Sequence, residues 1–180
     1  MRNQLSFVCL ALSAGLLLSG PAAAAPGPGL VPAQIQSLKS LKTSVVVPYY
    51  LPAGCKPESL RVQAKEDADN AAGYTLRYAC GQGSRKSMFQ LEGTSGGIGD
   101  AEGDSNFKLA SRNFGQIQVE YYKLGGTLPG LKQPMYTTQW FGKGPLFFSF
   151  TTGNGRIDSP YPTLPKAEVL KIIQALGYLK

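Results

Sequence analysis

Short runs of alternating apolar and polar residues fill the middle of the chain, and a longer apolar period closes it. Val45-Val46-Val47 is a β-branched run that favours a pleated, half-buried strand. Pro48 has no N–H for a ladder, so this strand lies at an edge or ends there. Leu51-Pro52-Ala53-Gly54 then turns the chain, Pro52 pre-setting the turn and Gly54 supplying a positive φ. Leu60 to Ala64 alternates, and Lys65 to Ala72 is a polar loop. Gly73 to Cys80 is the clearest strand, with Tyr74, Leu76, Tyr78 and Cys80 on one face and Thr75, Arg77 and Ala79 on the other. After the turn at Gly81-Gln82-Gly83-Ser84, Lys86 to Glu92 returns with Phe89 and Leu91 inward. Gln116 to Leu124 is a further strand. Tyr136 to Phe141 and Leu146 to Thr152 form a hairpin around Gly142-Lys143-Gly144-Pro145.

Helical periods flank these strands. Pro32 suits the first helical position, and Ile35, Leu38 and Leu41 recur at three-residue spacing. Val169, Ile172, Ile173 and Leu176 follow the i, i+3, i+4, i+7 pattern from Pro165 onward, and Gly177 is the expected stop. Strands between terminal helices predict an α+β fold, a curved antiparallel β-sheet with N-terminal and C-terminal helices packed on it. Alternation over Tyr136 to Phe141 places Tyr136, Thr138 and Trp140 on one face. That face has the larger apolar area, so Trp140 is expected in the core beside the closing helix.

The N-terminus changes the picture from fold to compartment. Residues 1–24 have one charge, Arg2, an apolar stretch from Leu5 to Leu18, and small residues at Ala22-Ala23-Ala24, the pattern of a secretory signal peptide. Cleavage after Ala24 would leave a flexible leader, 25–31, and a single domain, 32–180, with no transmembrane segment. Such a chain is expected to be exported, periplasmic or extracellular. Cys9 leaves with the signal peptide, and Cys55 and Cys80 remain as an even pair. In an oxidising compartment they are expected to form a structural disulfide. Its loop would stabilise the fold by roughly 3 kcal/mol in the chain-entropy model. The net charge is +7, and +6 once Arg2 is removed. That balance suits an anionic envelope surface component or plain solubility. The basic residues are scattered, without the clustered footprint of a nucleic-acid binder.

Candidate chemistry is thin. The chain has no histidine, which removes Ser-His-Asp and Cys-His catalysis and most zinc and haem sites. The carboxylates concentrate in the Glu66-Asp67-Asp69 and Asp100–Asp104 loops, away from the apolar strands. The glycine-rich loop from Gly93 to Asp104 lacks both a Gly-Lys-Ser/Thr ending and a strand–GxGxxG–helix context. Asp100, Glu102 and Asp104 alternate as calcium ligands often do, but Ser105 and Ser111 replace the glycine and closing glutamate of an EF-hand loop. No cofactor motif is present. Phe147 and Phe148 point to opposite faces of one strand, so one large ring faces away from the core. Tyr121, Tyr122, Phe141 and Phe147 are the candidate ligand or partner surface.

The order of Leu51-Pro52-Ala53-Gly54, the strands at Tyr74–Tyr78 and Phe89–Leu91, Thr138-Gln139-Trp140, a glycine hairpin and Leu164-x-x-x-Glu168-x-Leu170-x-x-Ile173 resembles a known domain. It is similar, over Thr43 to Leu179, to an uncharacterised extracytoplasmic domain of bacterial cell-surface proteins, often found in proteins related to anti-sigma factors. The resemblance implies an envelope location and no catalytic residues. The expectation is an exported envelope binding or interaction module without catalytic activity, its partner an unidentified envelope protein or an anionic surface component. The alternatives are a carboxylate- or tyrosine-dependent envelope enzyme acting on cell-wall glycan, which needs two converging carboxylates, and a structural accessory subunit.

Overall fold

The computed structural model describes residues 28–64, 71–96, 99 and 102–180. The expected signal peptide, the start of the leader, the acidic residues Glu66, Asp67 and Asp69, and Asp100 lie outside them. Helix α1 (Pro32–Lys39) leads into β1 (Val46–Pro48), β2 (Cys55–Gln63), β3 (Gly73–Cys80) and β4 (Ser87–Thr94). There follow β5 (Ser105–Ser111), β6 (Gly115–Tyr122), β7 (Met135–Thr138), β8 (Phe147–Thr152), helix α2 (Lys166–Gln174) and β9 (Leu176–Tyr178). Seven strands form one sheet in the order β2-β3-β4-β8-β7-β6-β5, and β1 and β9 form a second sheet of two. All the strand pairs are antiparallel.

The core lies on one face of the large sheet. Leu76, Phe89, Leu91, Val119, Phe148 and Phe150 are fully buried there with Val169, Ile172 and Ile173 of α2 and Leu38 of α1. Tyr78 and Phe89 stack with centroids 4.7 Å apart. Cys55 and Cys80 are register partners at the β2–β3 end and are disulfide-bonded. The bond closes the turn that begins at Pro52, whose carbonyl accepts from the Cys55 N–H. Among the described residues no helix is long and apolar enough to cross a membrane.

One expectation changes, and one strand is added. Helix α2 ends at Gln174, and Gly177 is not its stop but the middle of β9, paired with Val47. A Cβ there would meet Asn113 Nδ2 at 3.0 Å and the Tyr49 ring at 3.1 Å, so close approach explains the glycine. Strand β5, where the sequence pattern assigns no element, forms the sheet edge by pairing with β6. Its half-buried Phe107 and Leu109 alternate with exposed Asn106 and Lys108.

A hydroxyl of the large sheet completes the backbone bonding of the small one. Leu179 N–H donates to Val45 C=O and Tyr49 N–H to Ala175 C=O, so β1 pairs with β9 along one side. Alternation turns the N–H and C=O of Val46 to the other side. There the Tyr74 hydroxyl accepts from Val46 N–H at 3.1 Å and donates to Val46 C=O at 2.6 Å. Burial pushes the Tyr74 phenol far above its ordinary pKa, so it keeps its proton to donate. Nearby, Tyr50 donates to Glu168 Oε2 at 2.5 Å and Lys171 Nζ to Glu168 Oε1 at 3.0 Å, pinning α2 to the segment after β1.

Tyr74→Phe should leave two buried backbone groups without a partner and cost on the order of 2–4 kcal/mol in a denaturant titration. Glu168 offers a pH test. The Tyr50 hydrogen bond, and after it Lys171, hold its carboxyl below the usual glutamate pKa. A depressed folded-state pKa contributes stability that is present above the unfolded value, about 4.3, and is lost as pH falls through the folded one. Glu168→Gln should therefore lower the melting temperature near pH ~7 by an amount worth at most about 1 kcal/mol, and have little effect near pH ~3.

Candidate functional site

The second face of the large sheet is polar. Register partners share a face, so Arg61, Thr75, Glu92 and Ser149 line one row across β2, β3, β4 and β8. Arg77, Gln90, Thr151, Thr137 and Glu120 line the next row, from β3 to β6. Hydrogen bonds run along it. Arg77 Nε donates to Gln90 Oε1 at 2.9 Å, and Gln90 Nε2 donates to Glu92 Oε2 at 3.3 Å.

Trp140 belongs to this polar face, not to the core beside α2, and a bulge is the reason. Thr137 pairs with Thr151, and Phe141 bridges Phe148. Three residues separate 137 from 141, while two separate 148 from 151. Gln139 and Trp140 therefore both oppose Ser149, and the alternation slips by one residue. Thr138 and Phe141 stay on the core side, whereas Gln139 and Trp140 both turn to the polar side. Threonine hydroxyls replace ladder bonds beside the bulge. Phe150 N–H donates to Thr138 Oγ1 at 2.9 Å, Thr137 Oγ1 to Phe150 C=O at 3.0 Å, and Tyr136 N–H to Thr152 Oγ1 at 2.9 Å. Inserted hydroxyls hold β7 and β8 further apart than a direct ladder does.

A cleft of about 280 Å³ lies over this opened seam. Its walls carry Trp140, Tyr122, Leu128, Met135 and Ile157, and its floor Thr137, Ser149 and Thr151. Glu92 and Glu120 also line it, and among the described residues no lysine or arginine does. The indole Nε1–H donates to Gly99 C=O at 3.0 Å, which orients the ring. Glu120 is 1% exposed. Its Oε1 accepts from Gln118 Nε2 at 2.7 Å and Gln139 Nε2 at 3.2 Å, and its Oε2 from Gly103 N–H at 3.1 Å. All three donors are neutral, and among the described residues no cation forms an ion pair with it. Burial, then the charges of Glu120 and Asp104, push the buried Tyr122 phenol above its ordinary pKa.

The four aromatics expected to form a ligand surface do not come together. Tyr122 lines the cleft. Tyr121 lies on the core side, its ring centroid 4.8 Å from that of Tyr136. Phe141 packs edge-on against Phe114 at 5.1 Å and beside Phe148 at 6.1 Å. Phe147 is half-buried on the polar side, opposite Thr94. Of the suggested calcium ligands, Asp100 lies outside the described residues and Glu102 is exposed. Asp104 is committed to the backbone: its oxygens accept from Lys123 and Thr127 N–H, each at 2.9 Å. Those bonds hold its carboxyl below the usual range. Among the described residues no three potential metal ligands gather. Glu92 and Glu120, absent from the sequence-derived candidates, do share a cleft. Yet each is bonded to the glutamine two places earlier on its own strand, and three strand spacings of about 4.8 Å separate those strands.

With its ring in a cleft instead of the core, Trp140→Ala should cost less than about 2 kcal/mol, well under the ~3–5 kcal/mol of a buried aromatic. Denaturant titration checks the stability. Because Trp140 is the only tryptophan, acrylamide quenching of the native protein reports its accessibility directly, and partial quenching is expected.

Comparison with family models, with curated proteins and with solved structures gave no match to this chain, so function is argued from the cleft.

Proposed function

We propose that this chain is an exported binding module of the bacterial envelope, without catalytic activity, whose ligand occupies the Trp140 cleft. The observation that carries the reading is the bulge at Gln139 and Trp140. It takes a large aromatic that regular pairing would bury and turns it into a concave polar site. Bulges that re-aim one side chain recur beside functional sites, and a concave site mixing apolar walls with a few polar groups is the usual form of a ligand pocket. Export is supported by the signal-like N-terminus and by the bonded Cys55–Cys80 pair. The resemblance to an extracytoplasmic cell-surface domain points the same way. A non-catalytic role is supported by the two cleft carboxylates, each held on its own strand instead of converging as a glycosidase pair would.

Equilibrium dialysis against a soluble extract of envelope components, followed by mass spectrometry, tests the reading. The purified mature protein should retain material that Trp140→Ala, folded to the same degree, does not. Equal retention by both proteins would remove the cleft from consideration. Turnover of envelope glycan that is lost in Glu120→Gln would replace binding by catalysis.

A further inference from the structure

We infer that the cleft takes an organic ammonium group, held against the Trp140 ring in the negative field that Glu92 and Glu120 set up from opposite sides. The inference rests on the reading of the cleft as the ligand site. Three observations carry it. First, the chain has a net charge of +7, yet among the described residues the cleft lining has two carboxylates and no basic residue. Second, Glu120 is almost wholly buried, and its three described donors are neutral. A buried charge without a countercharge is costly, and a cation entering the cleft would relieve that cost. Third, Trp140 and Tyr122 share these walls with Leu128, Met135 and Ile157. Aromatic faces attract desolvated cations, and the apolar residues accommodate the alkyl groups an organic ammonium carries. An anionic ligand would meet two like charges here, and a purely apolar one would strip water from both carboxylates without replacing it.

Fluorescence of the single tryptophan reads the site in the intact mature protein. Choline is the probe, and its control is the uncharged isostere dimethylbutanol, in which a quaternary carbon replaces the nitrogen. Choline should give a saturable change in Trp140 emission, weakened by added salt, while the isostere gives none. Glu92→Gln, on the more exposed carboxylate, should weaken choline binding about tenfold or more. Glu120→Gln should do likewise in protein whose melting transition shows it folded. Equal responses to choline and the isostere would show that the cleft reads shape and not charge, and would overturn the inference. So would a choline affinity unchanged in Glu92→Gln, or no saturable response to choline. If choline is silent while dialysis still shows Trp140-dependent retention, the ammonium assignment falls and the binding site stands. If both fail, the site falls with it.

Discussion

The Tyr74 hydroxyl is the contact on which the two-sheet arrangement depends. A two-stranded sheet leaves one side of each strand without ladder partners, and here β1 is surrounded by apolar side chains. Val46 is 0% exposed, so water cannot satisfy its backbone. The phenol of β3 accepts from its N–H and donates to its C=O, which closes the account for that residue. The same ring fills the space above Gly93, where a Cβ would lie 2.3 Å from Tyr74 Cε1. The glycine in β4, the tyrosine in β3 and the valine in β1 therefore form one unit. Placing β1 places β9, and with it the end of α2.

That anchoring leaves the other face of the large sheet without a helical layer. The polar rows over β3, β4, β8 and β7 bond to one another instead, through Arg77, Gln90 and Glu92 and through Thr137 with Thr151 at 2.8 Å. Where the bulge interrupts pairing, hydroxyls stand in for backbone partners, so the seam opens without leaving buried groups unsatisfied. The core side is undisturbed, because Thr138 and Phe141 keep their inward places on either side of the bulge. The cleft is thus made by a local irregularity in β7, while the packing against α2 stays regular.

Alternation made much of this sheet legible. The face assignments of β3 and β4 follow from period two, and α2 from its apolar spacing. Strand β5 carries the same signal in Phe107 and Leu109, but the glycine-rich acidic stretch before it reads as loop and masks its start. Strand β9 is three residues directly after a helix, too short to show a period, and its glycine mimics a helix stop. Trp140 went to the wrong face because period-two reasoning assumes one residue opposite one residue. A bulge adds a residue without a compositional mark, so the indole's position follows from pairing with β8 and not from its own neighbours. Glu120 was hidden for a related reason. It sits in an alternating strand where a polar residue reads as solvent-facing, and only the packing of Gly103, Gln118 and Gln139 around it makes it buried.

Charge acts on this molecule at two ranges. The basic side chains are spread over the surface, and their long-range field is screened within about 8 Å at physiological salt. It therefore governs which surfaces the protein approaches more than what its cleft holds. Inside the cleft the carboxylates act over less than a screening length and through little water, where the low dielectric strengthens each interaction. Glutamine amides rather than lysines surround Glu120, so its hydrogen bonds are satisfied while its charge is left uncompensated. A lysine at either glutamine could satisfy both at once and would leave no electrostatic preference for an incoming group. Hydrogen-bonding to amides fixes the carboxylate in place without supplying a countercharge, which is what a preorganised cation subsite requires.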